Sequence, residues 1–177
     1  AFQAGAREVW VATDDDQGVA MFDADDLVPG SSGSNCITVT ANTTNASTVK
    51  LFTADAADDD ALAEHVGLTV ERGSLGTPGD CSTFTTATTV HDGTLAGLME
   101  SESFGTGVDA WQPATGTAST TYRFSYDLSE GAPNTVQSSE AGTTFVWEVR
   151  RTDPRPRPRP RPRPDPSRPS RPTRGAA

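Results

Sequence analysis

The sequence predicts an all-β fold: a jelly-roll-like antiparallel β-sandwich with a short helix and an extended Arg-Pro tail. Three observations lead there. Hydrophobic residues are 34% and aromatics 7% of the 177 residues, with Thr, Ser, Ala, Gly and Asp making up the balance. That mixture suits short strands and many turns better than long helices. Apolar and polar residues alternate in short runs between turn signals, the period of a strand with one buried face. From Asp153 onward the composition changes abruptly to Arg and Pro. The length allows one core with appendages: a strand over residues 1–12, a sandwich over 13–150 and a basic tail over 151–177.

Each element has its local reason. Glu8-Val9-Trp10-Val11-Ala12 alternates and runs into the turn Thr13-Asp14-Asp15-Asp16-Gln17-Gly18, followed by the apolar Val19-Ala20-Met21-Phe22. Leu27-Val28-Pro29-Gly30 is a second turn. Cys36-Ile37-Thr38-Val39-Thr40 and Ser47-Thr48-Val49-Lys50-Leu51-Phe52-Thr53 are β-branched and alternating. Residues 54–65, rich in Ala and Asp, are the expected short helix, with Asp58, Asp59 or Asp60 capping its N-terminus. Val66-Gly67-Leu68-Thr69-Val70-Glu71 alternates again, and further strands are expected near 83–90, 107–111, 117–128 and 143–150. Tyr122, Phe124 and Tyr126 alternate with Arg123 and Ser125, and Phe145 and Trp147 with Val146 and Glu148, marking two core strands.

Charge divides the chain sharply. Residues 1–149 carry four basic side chains against 22 acidic ones, a net −18; residues 150–177 carry ten Arg against two Asp, a net +8. In the tail, Pro alternates with Arg155, Arg157, Arg159, Arg161 and Arg163. Such a run is barred from helix and sheet ladders and favours polyproline II, which rises about 3.1 Å per residue with three residues per turn. A step of two therefore rings the rod with guanidinium groups, a pattern for a charged arm or a solubilising spacer. Arg grips phosphate and carboxylate in bidentate fashion, so the candidate partners are polyanions. They are the acidic body of a neighbouring copy, an anionic cell-wall polymer and extracellular DNA bound without sequence preference. The neighbouring body is preferred, because a polymer holds it at high effective concentration.

The order of elements over most of residues 1–150 resembles the TasA/camelysin family of secreted biofilm-fibre proteins. The resemblance rests on Ala1-Phe2, Ala4-Gly5, Val9-Trp10-Val11, Gly18-Val19-Ala20-Met21-Phe22, Leu27-Val28-Pro29-Gly30 and Cys36-Ile37-Thr38-Val39-Thr40. Gly93-Thr94-Leu95-Ala96-Gly97-Leu98, Trp111 and Phe145-Val146-Trp147-Glu148 extend it. It implies a jelly roll and assembly into filaments in which an N-terminal strand completes the neighbour's sheet. The Arg-Pro tail and residues 5–19 depart from the family pattern. Strand donation also has a physical basis, since an open sheet edge exposes unpaired N–H and C=O groups that an extended segment satisfies. Phe2, Val9 and Val11 are the candidate pocket-filling residues of such a donor strand, with Trp10 on the opposite face. The alternative is that this segment is the first strand of its own sandwich.

The remaining chemistry is sparse. A chain opening at Ala1-Phe2, with neither Met nor leader, is read as the mature form of an exported protein found at the cell surface or in a biofilm matrix. No window approaches 18 consecutive apolar residues, so no membrane span is expected. Two cysteines, Cys36 and Cys81, are expected to form one disulfide; the other reading is a pair of buried free thiols. His65 and His91 are the only histidines, with no His-Glu-x-x-His zinc helix, nucleophile elbow or phosphate loop. A non-enzyme without a resident cofactor is therefore expected, against a camelysin-like metallopeptidase. Asp14, Asp15, Asp16, Asp23, Asp25 and Asp26 are weak calcium candidates, matching no EF-hand loop. Asn42-Thr43-Thr44 and Asn45-Ala46-Ser47 fit the glycosylation sequon in an expected hairpin turn.

Overall fold

A computed structural model describes residues 3–4, 9–13, 29–136 and 139–152. Alternation in the sequence becomes alternation in burial. In β3 (Ser32–Thr43), Ile37, Val39, Ala41 and Thr43 are buried while the residues between them are not. The same period runs through β4 (Ser47–Asp58), β5 (Val66–Leu75) and β8 (Gly116–Leu128). Each of these strands has one apolar face, and the chain buries them by laying two antiparallel sheets face to face.

The larger sheet has the order β1 (Gln3–Ala4), β2 (Val9–Thr13), β3, β8, β5, β6 (Phe84–Thr94). The smaller has the order β7 (Val108–Trp111), β4, β9 (Ala141–Arg151). Every described pairing is antiparallel. The expected all-β sandwich is what the chain forms. The expected core strands meet at its centre, where the Phe124 and Phe145 rings lie 4.6 Å apart and Phe124 meets Trp147 edge-on at 6.1 Å. Tyr122 and Phe124 are fully buried, with Val39, Val49, Leu51, Val70 and Leu98 around them. Tyr126 lies across Gly33, its partner in the ladder; a Cβ there would sit 2.7 Å from the ring.

The helix expected over 54–65 is a correction. β4 continues through Asp58, pairing Ala54 with Thr144 and Asp58 with Ala141 around a bulge. Only Asp59–Glu64 forms a 3-10 segment, broken by the left-handed Asp60 (φ 54°) and Ala61 (φ 56°). The physical reason is the ladder offered by β9, which outweighs the modest helix propensity of Ala and Asp. Asp58 does sit at the N-terminus of this segment, its carboxylate accepting from the Ala63 N–H at 2.8 Å. Among the described residues the α-helix is α1 (Leu95–Met99), where the Thr94 hydroxyl accepts from the Gly97 N–H and Leu98 and Met99 enter the core.

Candidate functional site at the sheet margins and poles

The two-residue β1 forms the margin of the larger sheet and pairs with β2 through Gln3↔Val11 and Ala4↔Trp10; β2 in turn pairs with β3 through Val9↔Thr43, Trp10↔Asn42, Val11↔Ala41 and Thr13↔Val39. Val9 and Val11 are thus registered against the buried positions Thr43 and Ala41, and Trp10 against Asn42. Of the expected donor residues, Phe2 lies outside the described residues. In the single chain, then, the segment taken as a donor strand fills its own sheet margin. Intramolecular pairing has the advantage of effective concentration whenever no neighbour competes. β2 also approaches β9 across the sandwich without sharing a ladder with it. Eighteen residues separate Thr13 from Ser32.

The other margins differ in kind. β6 is interrupted by two register shifts against β5, between Val70 and Glu71 and between Arg72 and Gly73. Bulges of this sort twist an edge away from further pairing. β7 is four residues long and itself shifts register against β4. β9 pairs with β4 without interruption from Thr144↔Ala54 to Arg151↔Ser47.

The two ends of the sandwich carry opposite charge. At the end where β4 and β8 finish and β5 and β9 begin, Asp58, Asp59, Asp60, Glu64, Asp127, Glu130 and Glu140 are all exposed. No Lys or Arg is found there among the described residues. The pole is knit together by its backbone: Asp59 N–H donates to Glu140 O and Ser129 N–H to His65 O. β9 finishes at the opposite pole with Arg150 and Arg151, and Thr152 N–H donates to Ala46 O. Arg150 and Lys50 both lie over the Phe104 ring, at 4.4 and 5.3 Å from its centroid. The tail arginines 155, 157, 159, 161 and 163, which lie outside the described residues, follow from this basic pole.

Two polar clusters were missed from the sequence. Asp109, only 7% exposed and left-handed at φ 63°, accepts from Arg72 Nε and from the Tyr122 hydroxyl, each at 2.8 Å. It reaches from β7 of the smaller sheet to β5 and β8 of the larger, tying the layers together. Burial pushes the Tyr122 hydroxyl's pKa up, and the neighbouring Asp109 charge pushes it further. On the outer face of the larger sheet, Arg123 Nε donates to Glu71 at 2.9 Å and lies over the Phe84 ring at 4.7 Å. Burial raises the Glu71 carboxyl, but the hydrogen bonds from Arg123 and Thr86 outweigh it and hold the pKa below the ordinary value. Beside them the disulfide is formed: Cys36 of β3 joins Cys81, Cα atoms 5.6 Å apart, drawing the β5–β6 connection across β8. Asp80 holds the turn, accepting from Ser82 N–H and hydroxyl.

The remaining expectations fall as follows. The calcium candidates Asp14, Asp15, Asp16, Asp23, Asp25 and Asp26 lie outside the described residues. Among the described residues, no three His, Cys, Asp or Glu side chains converge as a metal-ligand set. His65 N–H closes a turn on Leu62 O, and His91 Nε2 sits 3.0 Å from Thr94 O. Asn42 belongs to β3, bonded to the Thr117 hydroxyl, and the turn holding Asn45 links strands of different sheets, which corrects the expected hairpin. No described helix is long and apolar enough to cross a membrane. The chain matches no protein-family model, and a search of curated proteins returned no match.

Proposed function

We propose that this chain is a structural, non-enzymatic subunit of an extracellular filament of the biofilm-matrix kind, polymerising by donor-strand complementation. The observation that carries the reading is the position of β2. It is a five-residue strand held against β3 on one side and flanked on the other by the two-residue β1 of the same N-terminal segment, and eighteen residues follow before β3 begins. A connection of that length reaches up to about 60 Å when extended, so β2 can leave its own β3 and fill the same place on a neighbour. The exchanged ladder reproduces the register of the single chain, so little pairing energy is lost, as in domain swapping. The acceptor is then the β3 margin at Val39, Ala41 and Thr43, with Val9 registered against Thr43 and Val11 against Ala41. The resemblance to TasA/camelysin proteins favours the same assembly.

The poles favour a head-to-tail order. Seven carboxylates crown one end, while Arg150, Arg151 and the arginine tail follow from the other. Stacking copies in one direction brings each tail to the next copy's acidic pole, making the tail a glue between subunits. Anionic wall polymer and extracellular DNA are the other polyanions it would take up.

The test is electron microscopy of the purified full chain beside a variant lacking residues 1–12. Regular fibres from the first and a folded, soluble monomer from the second support the proposal. Fibres from both, or monomers from both, overturn it. A second reading, a monomeric cell-surface module anchored by its basic tail, is favoured by one observation: β1 and β2 already fill the margin of their own sheet. That reading requires monomers of the full chain that bind wall polymer in a salt-sensitive way. A camelysin-like peptidase would instead cleave casein in a chelator-sensitive manner.

A further inference from the structure

We propose that β9 is a self-complementary edge, pairing antiparallel with β9 of a second copy about a two-fold axis through Val149. This contact goes beyond strand exchange, which uses β2 and β3. Backbone direction is the first argument. Thr53 N–H donates to Ser101 O, so Thr53 faces away from its ladder partner Phe145. Thr152 N–H donates to Ala46 O, across the same ladder. Alternation between these two points turns the even residues of β9 toward β4. Phe145, Trp147 and Val149 therefore present N–H and C=O outward, and nothing pairs with them among the described residues.

The second argument is regularity. β6 is bulged twice and β7 is short, the usual ways of blunting an edge, whereas β9 keeps an unshifted register from Thr144 to Arg151, the stretch that holds Val149. Charge then selects the occupant and its register. Outward groups of two β9 strands face each other when the axis passes through a residue of the strand. An axis at Glu148 or Arg150 sets like charges opposite one another, at a cost. An axis at Val149 places Glu148 of each copy opposite Arg150 of the other, in the pairing where facing side chains come closest. Both are accessible, at 30% and 59% exposure, and already share one face of the strand, with Arg150 Nε 2.5 Å from Glu148. The partner is thus a second copy of this chain, and in a filament the contact joins strands side by side.

The test uses two full-length variants, Glu148→Cys and Arg150→Cys, against a clean background because both native cysteines are consumed in the disulfide. Mixed under mild oxidation, they are expected to cross-link to each other about tenfold more than either does to itself. Equal or absent cross-linking overturns the contact. In sedimentation of the full chain, Glu148→Arg and Arg150→Glu each weaken lateral association by at least about tenfold, because like charges then oppose twice per interface. The double exchange Glu148→Arg with Arg150→Glu restores it, with circular dichroism unchanged throughout. Association indifferent to these charges overturns the proposal. Filaments that grow without the cross-link sink this contact alone and leave strand exchange standing; cross-linked pairs that never lengthen do the reverse.

Discussion

The β3–β8 ladder and the β2–β3 ladder use opposite sides of one strand and differ in everything else. On its inner side, β3 pairs with β8 from Ser32↔Asp127 to Thr43↔Gly116, and the pair carries Ile37, Val39, Tyr122 and Phe124 into the core. On its outer side, it meets β2 over Val9↔Thr43 to Thr13↔Val39 alone. Side chains reinforce the inner ladder as well, through Thr40 with Ser119 and Asn42 with Thr117. The lesson is that a single strand carries one heavily reinforced side and one lightly held side. An edge that has to change partners without unfolding the domain is best built where little else depends on it.

The largest effect should come from the inner side. Phe124→Ala removes a fully buried ring packed on Phe145 and Trp147, and is expected to cost about 3–5 kcal/mol in chemical denaturation. Replacing both Cys36 and Cys81 by Ser frees the strap from β3 and should cost about 2–4 kcal/mol, read the same way. Asp109→Ala leaves the buried Tyr122 hydroxyl without its acceptor and breaks the bond to Arg72, for about 1–3 kcal/mol. Removal of residues 1–12 takes away the outer ladder and should cost about 1–2 kcal/mol, the low end of about 0.2–1 kcal/mol for each cross-strand pair lost. A loss as large as that of Phe124→Ala would erase the distinction between the two sides of β3.

The smallest effect sharpens the comparison through pH. Glu71 has a pKa held below its ordinary 4.5 in the fold. Its contribution is present above the unfolded pKa and is lost as pH falls through the lower, folded one. Wild-type stability is therefore expected to decline as acid is added below about 4.5, and Glu71→Gln to reduce that slope in pH-dependent denaturation. The slope should be the same with or without residues 1–12, because Glu71 pairs through β5, β6 and β8.

The strands were legible because their information is local. Alternation of β-branched and aromatic residues in segments such as 36–40, 66–71 and 117–128 states both the strand and its buried face. The cysteine pairing was legible because two cysteines allow one pairing. Residues 54–58 were misread because their composition is neutral, and the decision belongs to a β9 ladder formed with residues some 90 positions away. Asp109 was illegible for the same reason, its partners Arg72 and Tyr122 being brought to it by two other strands. α1 was within reach, since Thr94 followed by Leu95-Ala96-Gly97-Leu98-Met99 carries an N-cap signal. The margins and poles required the sheet order, which no local pattern contains.

The staple between Cys36 and Cys81 has a mechanical consequence. Pulled from its two termini, the chain cannot pay out the 45-residue span between them, so roughly 150 Å of contour stays locked at about 3.3–3.6 Å per residue. In a filament of the proposed kind, the length each subunit could release under load would be smaller by that much. Reducing the bond under load should appear as one discrete lengthening step.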